Sequence, residues 1–191
     1  AVATGYQADL LVLDDIENMT IYDVYYNGQR IDQDSEITIR ECPAELKNTV
    51  HVGNFTVDDL TLESPDGSFH VIGIQEGEIT TVRKKAQLFD GPGVFRADED
   101  YQKIAVIERH KATGKTGVGI VSGFGIRGGA IASSVSHDSH NIIVIGDNDQ
   151  DMALAVQELI RTQGGYTLIA DHKVFDTLEL PVMGLMSDAG F

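Results

Sequence analysis

The stretch Asn141–Gly165, NIIVIGDNDQDMALAVQELIRTQGG, has the clearest pattern in the chain. Asn141 to Gly146 is an apolar run of strand length, and its lack of polar alternation predicts a strand buried on both faces. Asp147-Asn148-Asp149 supplies the residue types that open helices. Met152, Ala155, Val156, Leu159 and Ile160 then follow the i, i+3, i+4 spacing of a helix with one apolar stripe, and Gly164-Gly165 stops it.

Working outward, most other segments alternate as strands. Tyr166 to Ala170 and Val174 to Leu180 read as a hairpin around Asp171-His172-Lys173. Upstream, Phe55-Thr56-Val57, Phe69 to Gln75, Glu78 to Lys84, Lys103 to Glu108 and Gly117 to Ser122 carry β-branched alternation. Turn residues such as Pro65-Asp66-Gly67 separate them. Near the start, Asp9 to Asp14 and Thr20 to Tyr26 read as strands, the second ending at Asn27-Gly28, a pair suited to a type I′ turn. Ile37-Thr38-Ile39 reads as a short strand, and Glu41 to Asn48 as a loop or short helix at a domain boundary. The expected fold class is α+β: a strand-rich mixed domain over 41–191 with one clear helix, preceded by a few strands within 1–40.

Composition narrows the function. Thirty acidic against fourteen basic residues give a formal net charge of −16. Such a field repels phosphate backbones and anionic bilayers, so neither nucleic acid nor membrane is expected as a partner. With 42% hydrophobic residues the chain can build a core, and no apolar run approaches the roughly 20 residues of a membrane helix. Cys42 stands alone, which rules out an internal disulfide and a thiolate-rich metal site and fits a reducing cytoplasm. No basic-apolar leader opens the sequence. The start at Ala1 and the stop at Ser187-Asp188-Ala189-Gly190-Phe191, where a helix cap begins, suggest a piece of a longer protein.

Several motifs invite chemistry. Gly123-Phe124-Gly125-Ile126-Arg127-Gly128 matches G-x-G-x-x-G, with Asp147 nineteen residues on, as in a dinucleotide fingerprint. The segment after it, Gly129 to His140, is rich in Ser and β-branched residues and shows weak helical periodicity, so the helix N-terminus that holds a pyrophosphate is not expected. Gly114-Lys115-Thr116 lacks the earlier glycine of a phosphate loop, because Arg109 occupies that place. The densest polar stretch is SSVSHDSHN, Ser133 to Asn141. His137 and His140 begin a metal site but lack a third and fourth ligand nearby, and the H-E-x-x-H glutamate is absent. No serine sits on a G-x-S-x-G elbow. A hydrogen-bonded turn, an isolated metal site, a nucleophilic site, and a site completed by residues from elsewhere all remain open for this stretch.

Two segments together resemble one family. Gly5-Tyr6-Gln7-Ala8-Asp9-Leu10-Leu11-Val12-Leu13-Asp14 is similar to the run that amidohydrolase-superfamily enzymes carry after their catalytic barrel, where the chain rejoins a small β-sandwich. Val24 to Arg30 is similar to the strand and turn that return there. Gly123 to Gly146, with Arg127-Gly128-Gly129-Ala130-Ile131-Ala132-Ser133-Ser134 and His137-Asp138-Ser139-His140-Asn141, resembles the C-terminal domain of bacterial-type adenine deaminases. Leu180 to Asp188 resembles the close of the same domain. The resemblance implies hydrolysis of adenine to hypoxanthine and ammonia by a barrel holding manganese or iron, in purine salvage.

The barrel's H-x-H pair is absent from this chain, as is room for about 250 residues of barrel. The H-x-E and P-C-x-x-C signature of the zinc nucleobase deaminases is also absent. The resemblance therefore implies a fragment inactive alone, without a cofactor of its own. Its expected partners are the barrel of the same protein, adenine as the whole enzyme's substrate, and further copies in a homo-oligomer. Within the fragment no catalytic residue is assigned, and His137, Asp138, Ser139, His140 and Asn141 are the candidates for lining the active site. The alternative is a non-catalytic structural or oligomerisation module of another amidohydrolase.

Overall fold

The apolar run 142–146 forms a central strand of a large sheet, and the helix that follows it packs back on that sheet. The computed structural model describes residues 2–31 and 41–189. The expected strand at Ile37-Thr38-Ile39 lies outside the described residues. The chain divides into two units, 1–41 and 42–191.

In the first unit β1 (Leu10–Asp15), β2 (Thr20–Tyr26) and β3 (Gln29–Ile31) form an antiparallel sheet in that order. The β2–β3 turn has positive φ at Asn27 (53°) and Gly28 (75°), the type I′ geometry that Asn-Gly favours. Asp9 locks it, its carboxylate accepting from the Asn27 amide at 2.8 Å. Leu11, Ile21, Tyr22 and Tyr26 stay exposed.

The second unit adds β4 (Glu63–Ser64), β5 (Ser68–Ile74), β6 (Thr81–Gln87), β7 (Gly93–Val94), β8 (Tyr101–Ile107), β9 (Thr116–Ser122), β10 (Gly129–Ser133) and β11 (Ile142–Gly146). The helix α1 (Asp149–Arg161) and the strands β12 (Gly165–Ala170) and β13 (Lys173–Glu179) complete it. Eight strands share one sheet in the order β13-β12-β10-β11-β8-β9-β5-β6, while β4 and β7 pair separately. Only β5 and β9 run parallel; the other neighbours are antiparallel.

One face of the sheet holds the core. α1 buries Met152, Val156 and Leu159 completely, against Ala132, Ile142 and Val144 of the central strands. Each of the three contributes roughly 1.5–3 kcal/mol of transfer free energy. The Asn148 side chain caps the helix by accepting from the Asp151 amide at 2.8 Å. At the other end Arg161 grips Glu158 through two bonds of 2.7 and 2.8 Å and reaches Glu179 on β13 at 3.2 Å. The Arg161 hydrogen bonds hold the Glu158 carboxyl below its usual range. A second cluster, Phe69, Val71, Phe95 and Ile120, fills the β5–β9 end.

The opposite face is left open. Strand alternation places Leu168, Ile131, Ile145 and Ile104 in one row across β12, β10, β11 and β8. Leu178, Tyr166, Ile143 and Val106 belong to the next row. Leu168, Tyr166, Leu178 and Val106 are exposed, as is Phe175 at 74%.

The structure departs from the sequence reading in several places, and the short strands β4 and β7 are not assigned from sequence. Phe55-Thr56-Val57 is no strand: Val57–Leu60 forms a 3-10 turn, because Thr56 and Asp59 close a capping box, the carboxylate accepting from the Thr56 amide at 2.7 Å. The strand expected at Glu78 to Lys84 is Thr81–Gln87, since residues around Gly77 (φ 75°) are used in the turn. Gly129–Ser133, unassigned from sequence, is the strand β10, with Ala130 and Ala132 inward. The helix stop is Gln163 (φ 60°), with the Gly164 amide donating to Leu159 O at 2.8 Å and the Gln163 amide to Ile160 O at 3.3 Å.

Gly164 and Gly165 answer a different need, close approach. A Cβ on Gly165 (φ 138°) would lie 2.0 Å from Leu178 O. Gly165→Ala is therefore expected to cost about 2–4 kcal/mol, strain and overlap together. At Gly125 (φ 80°) a Cβ meets nothing within 4 Å, so Gly125→Ala is expected to cost only about 1 kcal/mol. Urea unfolding of both variants checks the contrast, and equal losses would contradict it.

Candidate functional site

β8 buries Lys103, Ala105 and Ile107 on one face, with Gln102 also buried near its start, and Arg109 continues the alternation of that face beyond the strand's end. Both cations are only 2% exposed, yet their surroundings differ. The Lys103 ammonium meets the Asp149 carboxylate at 2.5 Å, at the start of α1. The Arg109 guanidinium meets only carbonyls: Nε donates to His140 O at 2.5 Å and Nη2 to Met183 O at 3.1 Å. Among the described residues no carboxylate pairs with it, and burial pulls its pKa down.

Arg109 thereby holds the foot of the loop that contains the five candidates. Ser134, fully buried, fixes the loop's entry: its hydroxyl accepts from the Gly165 amide at 2.7 Å and donates to Gly184 O at 2.6 Å. The His140 amide closes the loop on Ser136 O at 2.5 Å, with His140 at φ 51°. The His110 ring nitrogen Nε2 lies 2.9 Å from Ser139 O. His137 and Asp138 form the tip, contacting each other with side chains 81% and 91% exposed. Ser139 is exposed too.

His140 and Asn141 lie beneath. The Nδ1 of His140 and the Oδ1 of Asn141 are buried without a hydrogen-bond partner among the described residues, and so is the Thr49 hydroxyl. Thr49, Arg109, His110 and His140 line a cavity of about 150 Å³ with Met183 and Leu185. The five candidates thus separate into an exposed tip, His137, Asp138 and Ser139, and a half-buried foot, His140 and Asn141. Arg109 and Thr49 escaped the sequence reading, although the alternation Lys103, Ala105, Ile107, Arg109 was the available signal.

Glu108 shapes the turn after β8. Its carboxylate accepts from the backbone amides of His110 (2.5 Å), Lys111 (2.8 Å) and Thr113 (3.0 Å), and from the Thr113 hydroxyl (2.8 Å). The Thr113 amide first, with these other donors, holds its pKa down at about 2. Gly114-Lys115-Thr116 is the end of this turn and the start of β9.

The glycine-rich turn is occupied by the protein itself. The Asp147 carboxylate accepts from the amides of Gly128 (2.5 Å) and Gly129 (3.1 Å), and β10 follows where a nucleotide fold needs a helix. The amides that would hold a phosphate are already spent on a carboxylate. Among the described residues no group of three or more His, Cys, Asp or Glu side chains is placed to hold a metal. The two loop histidines pack edge-on at 5.3 Å between ring centres. Among the described residues no helix is long and apolar enough to cross a membrane.

Residues 78–191 match the model of the adenine deaminase C-terminal domain, which spans β10, the loop, β11 and α1. The chain belongs to the adenine deaminase C-terminal domain family. Relatives named adenine deaminase extend the similarity over the full length. The protein from Desulfitobacterium hafniense (strain Y51) is 47% identical over 190 residues, covering 100% of this chain and 33% of that protein. That from Nitratidesulfovibrio vulgaris (strain DP4) is 42% identical over 98% of this chain and 33% of its own. That from Halalkalibacterium halodurans is 40% identical over 100% of this chain and 34% of its own. The chain thus spans about a third of the length of these relatives. As a member of this family it lacks the catalytic region and presents the Ser134–Asn141 loop on a sheet rim braced by Arg109 and Glu108.

The Glu108 hub gives a pH signature. Its folded pKa of about 2 lies below the ordinary value of 4.5, so its stabilisation is complete above the unfolded pKa and fades as pH falls through the folded one. Glu108→Gln should lower the melting temperature near neutral pH, and its gap to the unsubstituted chain should narrow between about pH 4.5 and 2. A gap constant across that window would contradict this role.

Proposed function

We propose that this chain is the C-terminal portion of an adenine deaminase, whose preceding barrel hydrolyses adenine to hypoxanthine and ammonia in cytoplasmic purine salvage. The observation that carries this reading is the family match over residues 78–191, seated on the elements that hold the loop. The described residues offer no ligand set for manganese or iron, so in this reading the divalent ion belongs to the barrel. There, such an ion lowers the pKa of water and supplies hydroxide. This chain contributes structure and cover. The open apolar face of the sheet fits a seat for the preceding two thirds of the protein, which the relatives possess and this chain does not span. The His137–Asn141 loop then lines the barrel mouth, where the exposed His137 and Asp138 offer a donor and an acceptor to a purine or to its exit path.

A second reading has its own support. The ties from Arg109 and His110 to the loop backbone favour a purely structural turn, within a stability or subunit-contact module. His137→Ala and Asp138→Ala in the full-length, metal-loaded enzyme separate the two. On the lining reading, kcat/KM for adenine falls about tenfold per lost hydrogen bond in either variant. Unchanged kcat/KM with a lowered melting temperature would overturn it in favour of the structural module. Absence of ammonia release from adenine by the unsubstituted full-length enzyme would overturn the substrate assignment.

A further inference from the structure

The eight-stranded sheet ends in two edges of different character. β13 is blunted: its register with β12 shifts between Leu168 and Ile169, and the Asp176 carboxylate accepts from the Thr177 amide at 2.8 Å. β6 is regular, pairing with β5 without a shift from Ser68 opposite Gln87 to Ile74 opposite Thr81. Its other side meets no strand among the described residues, so one row of its amides and carbonyls stands open.

That edge is also where positive charge is concentrated. Arg83, Lys84 and Lys85 are consecutive and exposed, in a chain of net charge −16. None of the three forms an ion pair among the described residues. Lys85 is felt by Asp66, but that carboxylate is held first by the Ser68 amide and the Ser64 hydroxyl. Arg83 donates to the His70 ring, whose Nε2 accepts at 3.0 Å. Strand alternation sets Arg83 and Lys85 on one face with His70 and Ile72 of β5. A hollow of about 360 Å³ bordered by His70, Ile72 and Arg83 leaves room there for a side chain. The other face of β6 carries Val82 and Ala86, half-buried, and Ala86 packs on the cluster around Phe69.

These residues select an occupant. A second copy of β6 paired antiparallel about Lys84 would set Arg83 against Lys85 and Lys84 against Lys84, and like charges directly opposite repel. A strand that alternates acidic with β-branched residues meets the opposite situation. Its carboxylates face Arg83 and Lys85, its apolar side chains extend the Val82 and Ala86 side, and its backbone fills the open row. We propose that β6 is a docking edge for an extended acidic segment of another protein, which adds to the sheet as its ninth strand. The open face is the seat read above for the rest of the parent protein, which leaves this edge for a partner in trans. The edge is independent of the deaminase reading, because every group in it belongs to this chain. The net charge of −16 opposes such a partner at long range, so the attraction acts within about one Debye length, ~8 Å at physiological salt.

The test uses the 191-residue chain and a fluorescein-labelled peptide of alternating glutamate and valine, as long as the seven residues of β6. Fluorescence anisotropy should show saturable binding, and amide exchange in Thr81–Gln87 should slow when the peptide is bound. Arg83→Glu combined with Lys85→Glu, both exposed and checked for folding by circular dichroism, should weaken binding about tenfold. The same peptide with lysine in place of glutamate should not bind. Absence of saturable binding, or binding undiminished in the double variant, would overturn the proposal. Equal binding of inorganic polyphosphate would overturn it in favour of a general anion patch. Slowed exchange in Thr81–Gln87 on concentrating the chain alone would give the edge to a second copy. Binding by the 191-residue chain but not by the full-length protein would give it to the parent, overturning a partner in trans.

Discussion

An eight-stranded sheet has two faces, and the described residues of the second unit supply one α-helix to cover them. Everything else in that unit follows from the shortage. α1 is spent on the face formed by β10, β11 and β12, where alanines let its Met152, Val156 and Leu159 approach closely. The β5–β9 end is closed by its own aromatic cluster around Phe69. The other face keeps Tyr166, Leu168 and Phe175 at the surface. The relatives that this chain matches are about three times as long.

The same strand that anchors the core also organises the candidate site. β8 carries buried cations on either side of Ala105 and Ile107, so its register fixes two charges at opposite rims of the sheet. One rim is tied to the helix start through Lys103 and Asp149. The other is tied by Arg109 to the loop at His140 and to the closing segment at Met183. Segments far apart in sequence thus converge on one guanidinium, and Glu108 beside it fixes the following turn. The loop's exposed tip stands on a foot that is charged, buried and incompletely hydrogen-bonded.

Much of this was legible in the residues. The helix, its cap region and the buried strand before it follow from periodicity and composition, and the type I′ turn at Asn27-Gly28 from backbone preference. Local side-chain chemistry defeated the reading elsewhere. The Thr56–Asp59 capping box turned an apparent strand into a 3-10 turn, and the small residues of Gly129–Ser133 hid a central strand whose partners lie far off in sequence. Polar density did mark the loop, but it could not divide His137 and Asp138 at the tip from His140 and Asn141 at the foot. That division depends on Arg109, which looks like any surface arginine until the alternation of β8 is followed past Ile107.

In the proposed reading, the open sheet face is covered by the part of the parent protein that this chain does not span. Reactivity of a thiol introduced by Leu168→Cys, in a Cys42→Ser background, tests it most directly. The account predicts rapid labelling in the 191-residue chain at every protein concentration and strong protection in the full-length protein. Equal labelling in the two, or protection of the 191-residue chain that grows with its concentration, would contradict it.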